Sequence, residues 1–561
     1  MSKIVECVPN FSEGRDKSVI DRIAQAVQSV SGAELLDVDP GADTNRTVFT
    51  IVGTPESVVE AAFQAIATAA ALIDMRKHSG AHPRMGATDV CPFVPVRNMT
   101  MEECVQLAKA LGKRVGEEMG IPVYLYEYAA TSAKRRNLAN IRAGEYEGLS
   151  EKIRKPEWKP DYGPAEFNPQ SGATVIGARK FLIAYNVNIN SRSQRLAHNI
   201  ALDVRERGRW LRDADHQFVK DENGERVRIP GLLKECKAVG WYIKEYGCAQ
   251  ISMNLTDFEV TPVHSAFDAC RESASKYGLR VTGSELVGLI PLNAMLEAGR
   301  YYLTQQGQST GVPEPLLIQT AIQSLGLNEI TPFDPEEKII EYRLSGGSRF
   351  GKLVRMPCGE FVDELSTDSP APGGGSVAAL CGAMAAGLTA MVGNLTIDKR
   401  EFAAVKKEML SATDEAQKLK DEFLRDVDKD TDAFNELMAC FAMPKEDDIQ
   451  ALKRREAIEN ATRNATLVPL EVLYRTKRIV EIAEVMAIHG NQKSVSDAGV
   501  GAHSALCAAE SAFLNVMINL DGCGDKEWIA NVKSQARESL EETRKSAEKV
   551  IDIVNGKLKI S

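Results

Sequence analysis

The apolar positions in the first third of the chain fall in short runs separated by turn residues, with stretches of helical spacing between them. Runs at 4–8, 34–39 and 47–52 predict strands. Helices are predicted after Gly14 and over 55–73. Beyond a glycine- and proline-rich segment, Thr100 and Glu103 have the spacing of a capping box and open a helix to about residue 116, followed by a strand at 121–126. The order strand, helix, two strands, helix, strand then recurs. Its second round has strands at 181–189, 241–246, 249–255 and near 279, with helices running through 207 and starting after Pro262. Two split βαβ layers, stacked side by side, are the expectation.

Helical extensions after Pro291 and Pro313 lead to 339–342, and the stretch 345–351, Ser-Gly-Gly-Ser-Arg-Phe-Gly, has no apolar period and is read as a linker. From Cys358 onward, runs of Ala, Leu, Met, Glu and Lys at helical spacing predict an all-helical region. The fold class is therefore α+β followed by all-α. Its parts are two ferredoxin-like subdomains at 1–180 and 181–342, a linker at 343–354 and a helical bundle at 355–561. One uncharged segment, 373–397, is long enough to span a bilayer. It contains Asn394 and Thr396, lacks an aromatic belt or basic collar, and is flanked by amphipathic sequence, so a buried bundle helix is expected and no membrane span.

Size and charge narrow the function classes. The 561 residues suffice for about three to four compact units. A net charge of −10 and a pI near 5.5, with both signs mixed throughout, offer no sustained positive surface to nucleic acid. Glu6 near the start and the absence there of an apolar run of signal-peptide length point to the cytoplasm. The 11 cysteines are odd in number, dispersed and never spaced Cys-x-x-Cys, which argues against a disulfide framework or a structural zinc site.

Two polar constellations stand out in the front half. The first, His78-Ser-Gly-Ala-His82-Pro-Arg84-Met-Gly-Ala-Thr-Asp89, is non-periodic, as in loops that present side chains to a cleft, and histidine suits proton transfer near neutrality. The second, Asp37-Val-Asp39-Pro-Gly-Ala-Asp43-Thr-Asn45-Arg46, joins two predicted strands; a turn accounts for Gly41 and Asn45 but not for Asp39. Cys-Val-Pro-Asn-Phe-Ser-Glu-Gly at 7–14, the 39–50, 79–96 and 171–181 segments and Glu285-Leu-Val-Gly-Leu-Ile-Pro291 together resemble glutamate formiminotransferases over residues 1–342.

That resemblance implies that His82 is the catalytic base and that Asp39 lies in the active cleft. It also implies that Pro169, Gln170, Ser171, Gly172, Ala173, Thr174, Val175, Ile176, Gly177 and Ala178, with Gly208 and Arg209, line the folate. The segment 211–233 is longer and more charged than the family pattern, and Trp210 follows Gly208 and Arg209. His82 would accept the proton that N5 of tetrahydrofolate loses as it attacks the formimino carbon, and Asp39 would face the developing amidinium-like charge. The two carboxylates of the glutamate donor call for forked donors, for which Arg46 and Arg84 are the candidates.

The rear half offers a glycine turn at Gly373, Gly374, Gly375 and Ser376, whose amides are expected to face an anion at a helix N-terminus; an N-cap at Ser376 is the alternative. On the predicted helix 415–441, Leu419, Phe423, Val427, Phe434, Leu437 and Phe441 form one stripe. Asp430 falls within the stripe and Asp426 near its edge, while Asp428 and Asp432 are expected on the opposite, solvated face. A carboxyl buried beside another acid has a raised pKa and can serve as a general acid. Glycine turn, Asp430 and Ser496-Asp497 together resemble the folate cyclodeaminases over 355–561, where the aspartate matching Asp430 is the proton donor.

The two resemblances imply a formiminotransferase-cyclodeaminase of histidine degradation, with formiminoglutamate and tetrahydrofolate or its polyglutamates as substrates. No metal is needed, and a homo-oligomer built from dimers is expected. The alternatives are a monofunctional formimino or formyl transferase whose rear helices serve only for oligomerisation, and a folate-binding scaffold.

Overall fold

The computed structural model describes residues 3–42, 44–80, 82–344 and 350–559; most of the predicted linker, 345–349, lies outside them, as do Asp43 and Ala81 of the polar clusters. The chain divides into two compact units, 1–294 with 325–346, and 295–324 with 347–561.

In the first unit, β1 (Ile4–Cys7), β2 (Asn10–Phe11), β3 (Ala33–Gly41), β4 (Arg46–Gly53), β5 (Thr88–Arg97), β6 (Val123–Glu127) and β7 (Thr174–Ala178) form one seven-stranded sheet. From one edge, β3 pairs with β4, β4 with β1 and β2, and these with β5, all antiparallel, in the order of a split βαβ layer. Beyond β5 the sheet continues through β7 to β6, both pairings parallel, so the first layer is larger than expected.

The short β2, β5 and β7 escape the sequence pattern. β5 contains Pro92 and Pro95, which lack the N–H of a ladder residue. It tolerates them because its pairing to β1 and β2 is irregular there, with Val8 N donating to Pro92 O at 3.0 Å. β7 lies wholly within the stretch read as lining the folate.

One face of this sheet carries the helices Lys17–Gln28, Pro55–Leu72 and Met101–Met119, over a core that includes Phe11, Phe49, Ile51, Phe93 and Leu111. Ile20, Ile23 and Val27 point inward at helical spacing, and the Thr100–Glu103 capping box is formed in both directions. On the other face, Tyr124, Tyr126 and Val175 form a second cluster near the short helices Leu138–Arg142 and Glu145–Lys152, whose Ile141 and Leu149 belong to it. Leu36 and Val52 pack there with Leu289 and Ile340. Register sets Asp39 opposite Val48 and Asp37 opposite Thr50, so both acids share the face of Arg46.

The second layer follows expectation more closely. β8 (Ile183–Ile189) is followed by the small pair β9 (Arg209–Trp210) and β10 (Arg228–Ile229), then β11 (Cys236–Ile243), β12 (Cys248–Leu255) and β13 (Val281–Val287). The main sheet runs β11-β12-β8-β13, antiparallel throughout, with helices Gln194–Val204 and Val263–Lys276 as its crossovers.

The second unit is helical. Its long helices are Gly374–Ile397, Lys406–Phe441, Asp448–His489, Val495–Leu520 and Lys526–Leu558. Among the described residues Gly374–Ile397 is the one helix long and apolar enough to cross a membrane, and 61% of its most apolar window is buried. Its small residues serve close packing: a Cβ at Gly382 would lie 2.6 Å from the Phe423 ring, and one at Gly393 1.9 Å from Thr413 Oγ1. Residues 295–324 belong to this unit, where Asn394 Nδ2 donates to Gly311 O at 2.9 Å and Lys406 Nζ to Gly307 O at 2.6 Å.

Candidate active sites

The front site is assembled around the β3–β4 turn and the 78–89 loop. Asn45, in the left-handed region at φ 48°, accepts from Gly14 N at 3.0 Å and donates to Ser79 O at 2.9 Å. His78 Nε2 donates to Asn45 O at 2.8 Å, and its Nδ1 accepts from Arg84 Nε at 3.2 Å. His78 is thus a clasp between loop and turn, and burial lowers its pKa. Backbones approach so closely that a Cβ at Gly80 would sit 2.2 Å from Thr44 O.

His82 is held differently. Its Nδ1 lies 2.7 Å from Pro83 O, and a carbonyl only accepts, so Nδ1 carries the proton. Nε2 is then the lone-pair nitrogen and accepts from Arg46 Nη1. Burial, with Arg46 and Arg142 nearby, pulls the imidazole down to about 4, so it is neutral at pH 7.

The structure separates the two arginines proposed for the donor's carboxylates. Arg84 is 7% exposed and already paired with Glu145 at 3.0 Å and Glu147 at 2.6 Å. Arg46 has no acid partner among the described residues, and its Nε is enclosed without a hydrogen bond. Asp39 is exposed on the same sheet face, near enough to act on the Arg46 charge. Behind them Asp89, fully buried, is gripped by both Nε and Nη2 of Arg142 and accepts from Met85 N at 3.0 Å. A cavity of about 470 Å³ beside the loop is lined by His78, Arg84, Glu145 and Glu147 but not by His82. Its acids are engaged by Arg84.

The expected folate-lining segment is mostly structural. Pro169 and Gln170 are exposed, whereas Ser171 to Ala178 are buried. Ser171 O accepts from Ala87 N at 2.9 Å and Ala173 N donates to Met85 O at 3.1 Å, bracing the strand that follows the His82 loop. Thr174, Val175, Ile176, Gly177 and Ala178 are β7, with neighbours on both edges. In this segment the side chains open to solvent are those of Pro169 and Gln170. Gly208 is a backbone requirement: its φ is +61° and a Cβ would lie 1.8 Å from Ile229 O. Arg209 is committed to Asp203, Asn199 O and Tyr277 Oη.

In the rear unit the helix N-cap is Gly373, not Ser376. Ser376 is buried; its backbone and hydroxyl face Asp430, with Oγ also 2.8 Å from Val427 O. A Cβ at Gly375 would lie 2.0 Å from Asp430 Oδ1, so glycine is what lets the turn close on the carboxyl. The group that the glycine turn closes on is thus the chain's own Asp430 carboxyl. Burial raises its pKa, and the Ser376 hydrogen bonds offset part of that rise.

No second acid is among the causes. Asp426, 1% exposed, is paired with Arg475 at 2.6 Å and Lys429 at 2.9 Å. Asp428 is not solvated as expected but accepts from Leu353 N at 2.9 Å and Val354 N at 3.3 Å; Asp432 is exposed. The expected stripe thins along its length: Leu419, Phe423 and Val427 are buried, and Phe441 is 47% exposed. Ser496 lies inside the helix that starts at Val495, with Asp497 in its first turn. Among the described residues no group of three or more His, Cys, Asp or Glu is set to hold a metal.

Fold and sites define a two-part chain: an α/β half carrying an imidazole fixed in one tautomer, and a helical half carrying a shielded carboxyl. The formiminotransferase domain, N-terminal subdomain, matches residues 4–179, the formiminotransferase domain 184–345, and formiminotransferase-cyclodeaminase 357–538. The chain is 44% identical over 558 residues to the formimidoyltransferase-cyclodeaminase of Dictyostelium discoideum, covering 99% of this chain and 100% of that one. The glutamate formimidoyltransferase of Streptococcus pyogenes is 43% identical over 303 residues, 54% of this chain and 94% of its own. A methenyltetrahydrofolate cyclohydrolase of Methylorubrum extorquens is 32% identical over 198 residues, 35% of this chain and 95% of its own. The chain belongs to the formimidoyltransferase-cyclodeaminase family.

Proposed function

We propose that this bifunctional folate enzyme transfers the formimino group of N-formimino-L-glutamate to N5 of tetrahydrofolate. It then cyclises the product to 5,10-methenyltetrahydrofolate with release of ammonia. The observation that carries the reading is that each half holds one proton-handling group set by its surroundings: His82 with its lone pair on Nε2, and Asp430 with its carboxyl pKa raised by burial.

In the first half-reaction N5 attacks the formimino carbon and its proton passes to His82 Nε2. The tetrahedral adduct breaks toward glutamate, whose departing nitrogen takes the proton back from the imidazolium. Asp39, exposed on the same sheet face, stabilises the amidinium-like charge on carbon. In the second, N10 closes on the same carbon, the exocyclic nitrogen takes one proton from Asp430 and the one that N10 gives up, and ammonia leaves as the methenyl cation forms. Residues 1–180 and 181–342 are assigned to transfer and 355–561 to cyclisation. The substrate places the enzyme in histidine degradation, and a cytoplasmic homo-oligomer built from dimers is part of the same reading.

The test is an assay of purified protein with formiminoglutamate and tetrahydrofolate, following methenyl absorbance and ammonia. Wild type yields both. His82→Ala stops the first step and Asp430→Asn lets 5-formiminotetrahydrofolate accumulate. Wild-type protein that forms no 5-formimino product would overturn the transfer assignment, and a rear half inert toward preformed 5-formiminotetrahydrofolate would leave the helices an oligomerisation module.

A further inference from the structure

Arg46 presents an unresolved charge. It is the cation nearest His82, it has no acid partner among the described residues, its Nε is enclosed and unpartnered, and its Nη1 sits on the one imidazole nitrogen that can accept a proton. Other strong charges around it are already engaged: Arg142, from the helix Leu138–Arg142, holds Asp89 on β5, and Arg84 holds Glu145 and Glu147. Asp39 on β3 and Tyr126 on β6 complete the groups that act on it electrostatically. Burial pulls even its guanidinium down to about 10. A desolvated cation of this kind calls for an anion.

We propose that Arg46 is the receptor for a carboxylate of the amino-acid donor, and that in taking it Arg46 releases Nε2 of His82, so that the base becomes available only when the donor is seated. This rests on the formimino-transfer reading. In the resting arrangement a guanidinium N–H occupies the lone pair that must receive the N5 proton, and its positive charge opposes an imidazolium beside it. A carboxylate drawing the fork away removes the first obstacle, and neutralising the charge removes the second. Donor binding and base activation thereby become one event, and tetrahydrofolate alone meets an imidazole that is occupied.

The test compares wild type, Arg46→Gln and Arg46→Lys in the intact chain, with formiminoglutamate varied at saturating tetrahydrofolate. Arg46→Gln should raise KM for formiminoglutamate at least about tenfold, the effect of losing one charge-assisted contact, and leave KM for tetrahydrofolate within about twofold. Arg46→Lys should recover part of the loss. The pH profiles give a readout that a structural role would not move. In wild type the acid limb of kcat, which reports the donor complex, should lie at higher pH than that of kcat/KM, which reports the free enzyme. In Arg46→Gln the kcat/KM limb should rise and the gap should close. An unchanged KM for formiminoglutamate, or a gap that persists in Arg46→Gln, overturns the proposal. Wild type that ignores formiminoglutamate overturns the transfer reading instead.

Discussion

At the scale of single residues, the two halves impose opposite pH behaviour on their key groups. His82 is held below the ordinary histidine range, so it is a neutral acceptor across the physiological window. Asp430 is held above the ordinary aspartate range, and only its protonated form can donate. Cyclisation of preformed 5-formiminotetrahydrofolate should therefore be present at low pH and fall as pH rises through the elevated pKa. Because the Ser376 hydroxyl lowers that pKa, Ser376→Ala should shift the alkaline limb of initial rates upward.

Glu6 shows the same physics applied to stability. Burial pushes its carboxyl up to about 7 from the ordinary 4.5, and its Oε2 has no partner. The folded chain thus keeps a proton that the unfolded chain releases between those values. Stability should fall as pH rises across that window, by about 3 kcal/mol at full development. Glu6→Gln should raise Tm at pH 8 and leave it nearly unchanged at pH 5.

At the scale of elements, the front site depends on pairs that join segments distant in sequence. Asp89 on β5 is gripped by Arg142, 53 residues later, and is fully buried. Arg142→Met should cost about 3–5 kcal/mol by leaving that charge unpaired, seen as a lower Tm, and a second change, Asp89→Asn, should return part of it. These pairings also show where sequence reading stops. Capping, helical period and strand alternation are local, so the Thr100 helix, the β3–β4 hairpin and the long rear helices were legible. The grip of Arg46 on His82, of Arg142 on Asp89 and of Arg475 on Asp426 spans 36, 53 and 49 residues, and only the completed fold brings them together. β5 was hidden by its prolines, and β7 because a motif read as a ligand surface is a buried strand.

At the scale of the whole molecule, the boundary between compact units is not the boundary suggested by the glycine-rich stretch alone. Residues 295–324 precede the predicted linker yet group with the rear helices, and Leu317, Ile318 and Ala321 among them are buried. A fragment comprising 347–561 would lack those helices and the contacts of Gly307 and Gly311 with Lys406 and Asn394. Its helical signal should melt at lower temperature than that of the same helices in the intact chain, as read by circular dichroism.

The path of the backbone has a further result. Because it enters the rear unit at 295, leaves at 324 and returns at 347, severing one peptide bond in the glycine-rich stretch leaves residues 295–324 of the rear unit on the front piece. Cleavage at an engineered protease site near residue 346 should yield two polypeptides on a denaturing gel that still co-elute as one particle in native buffer.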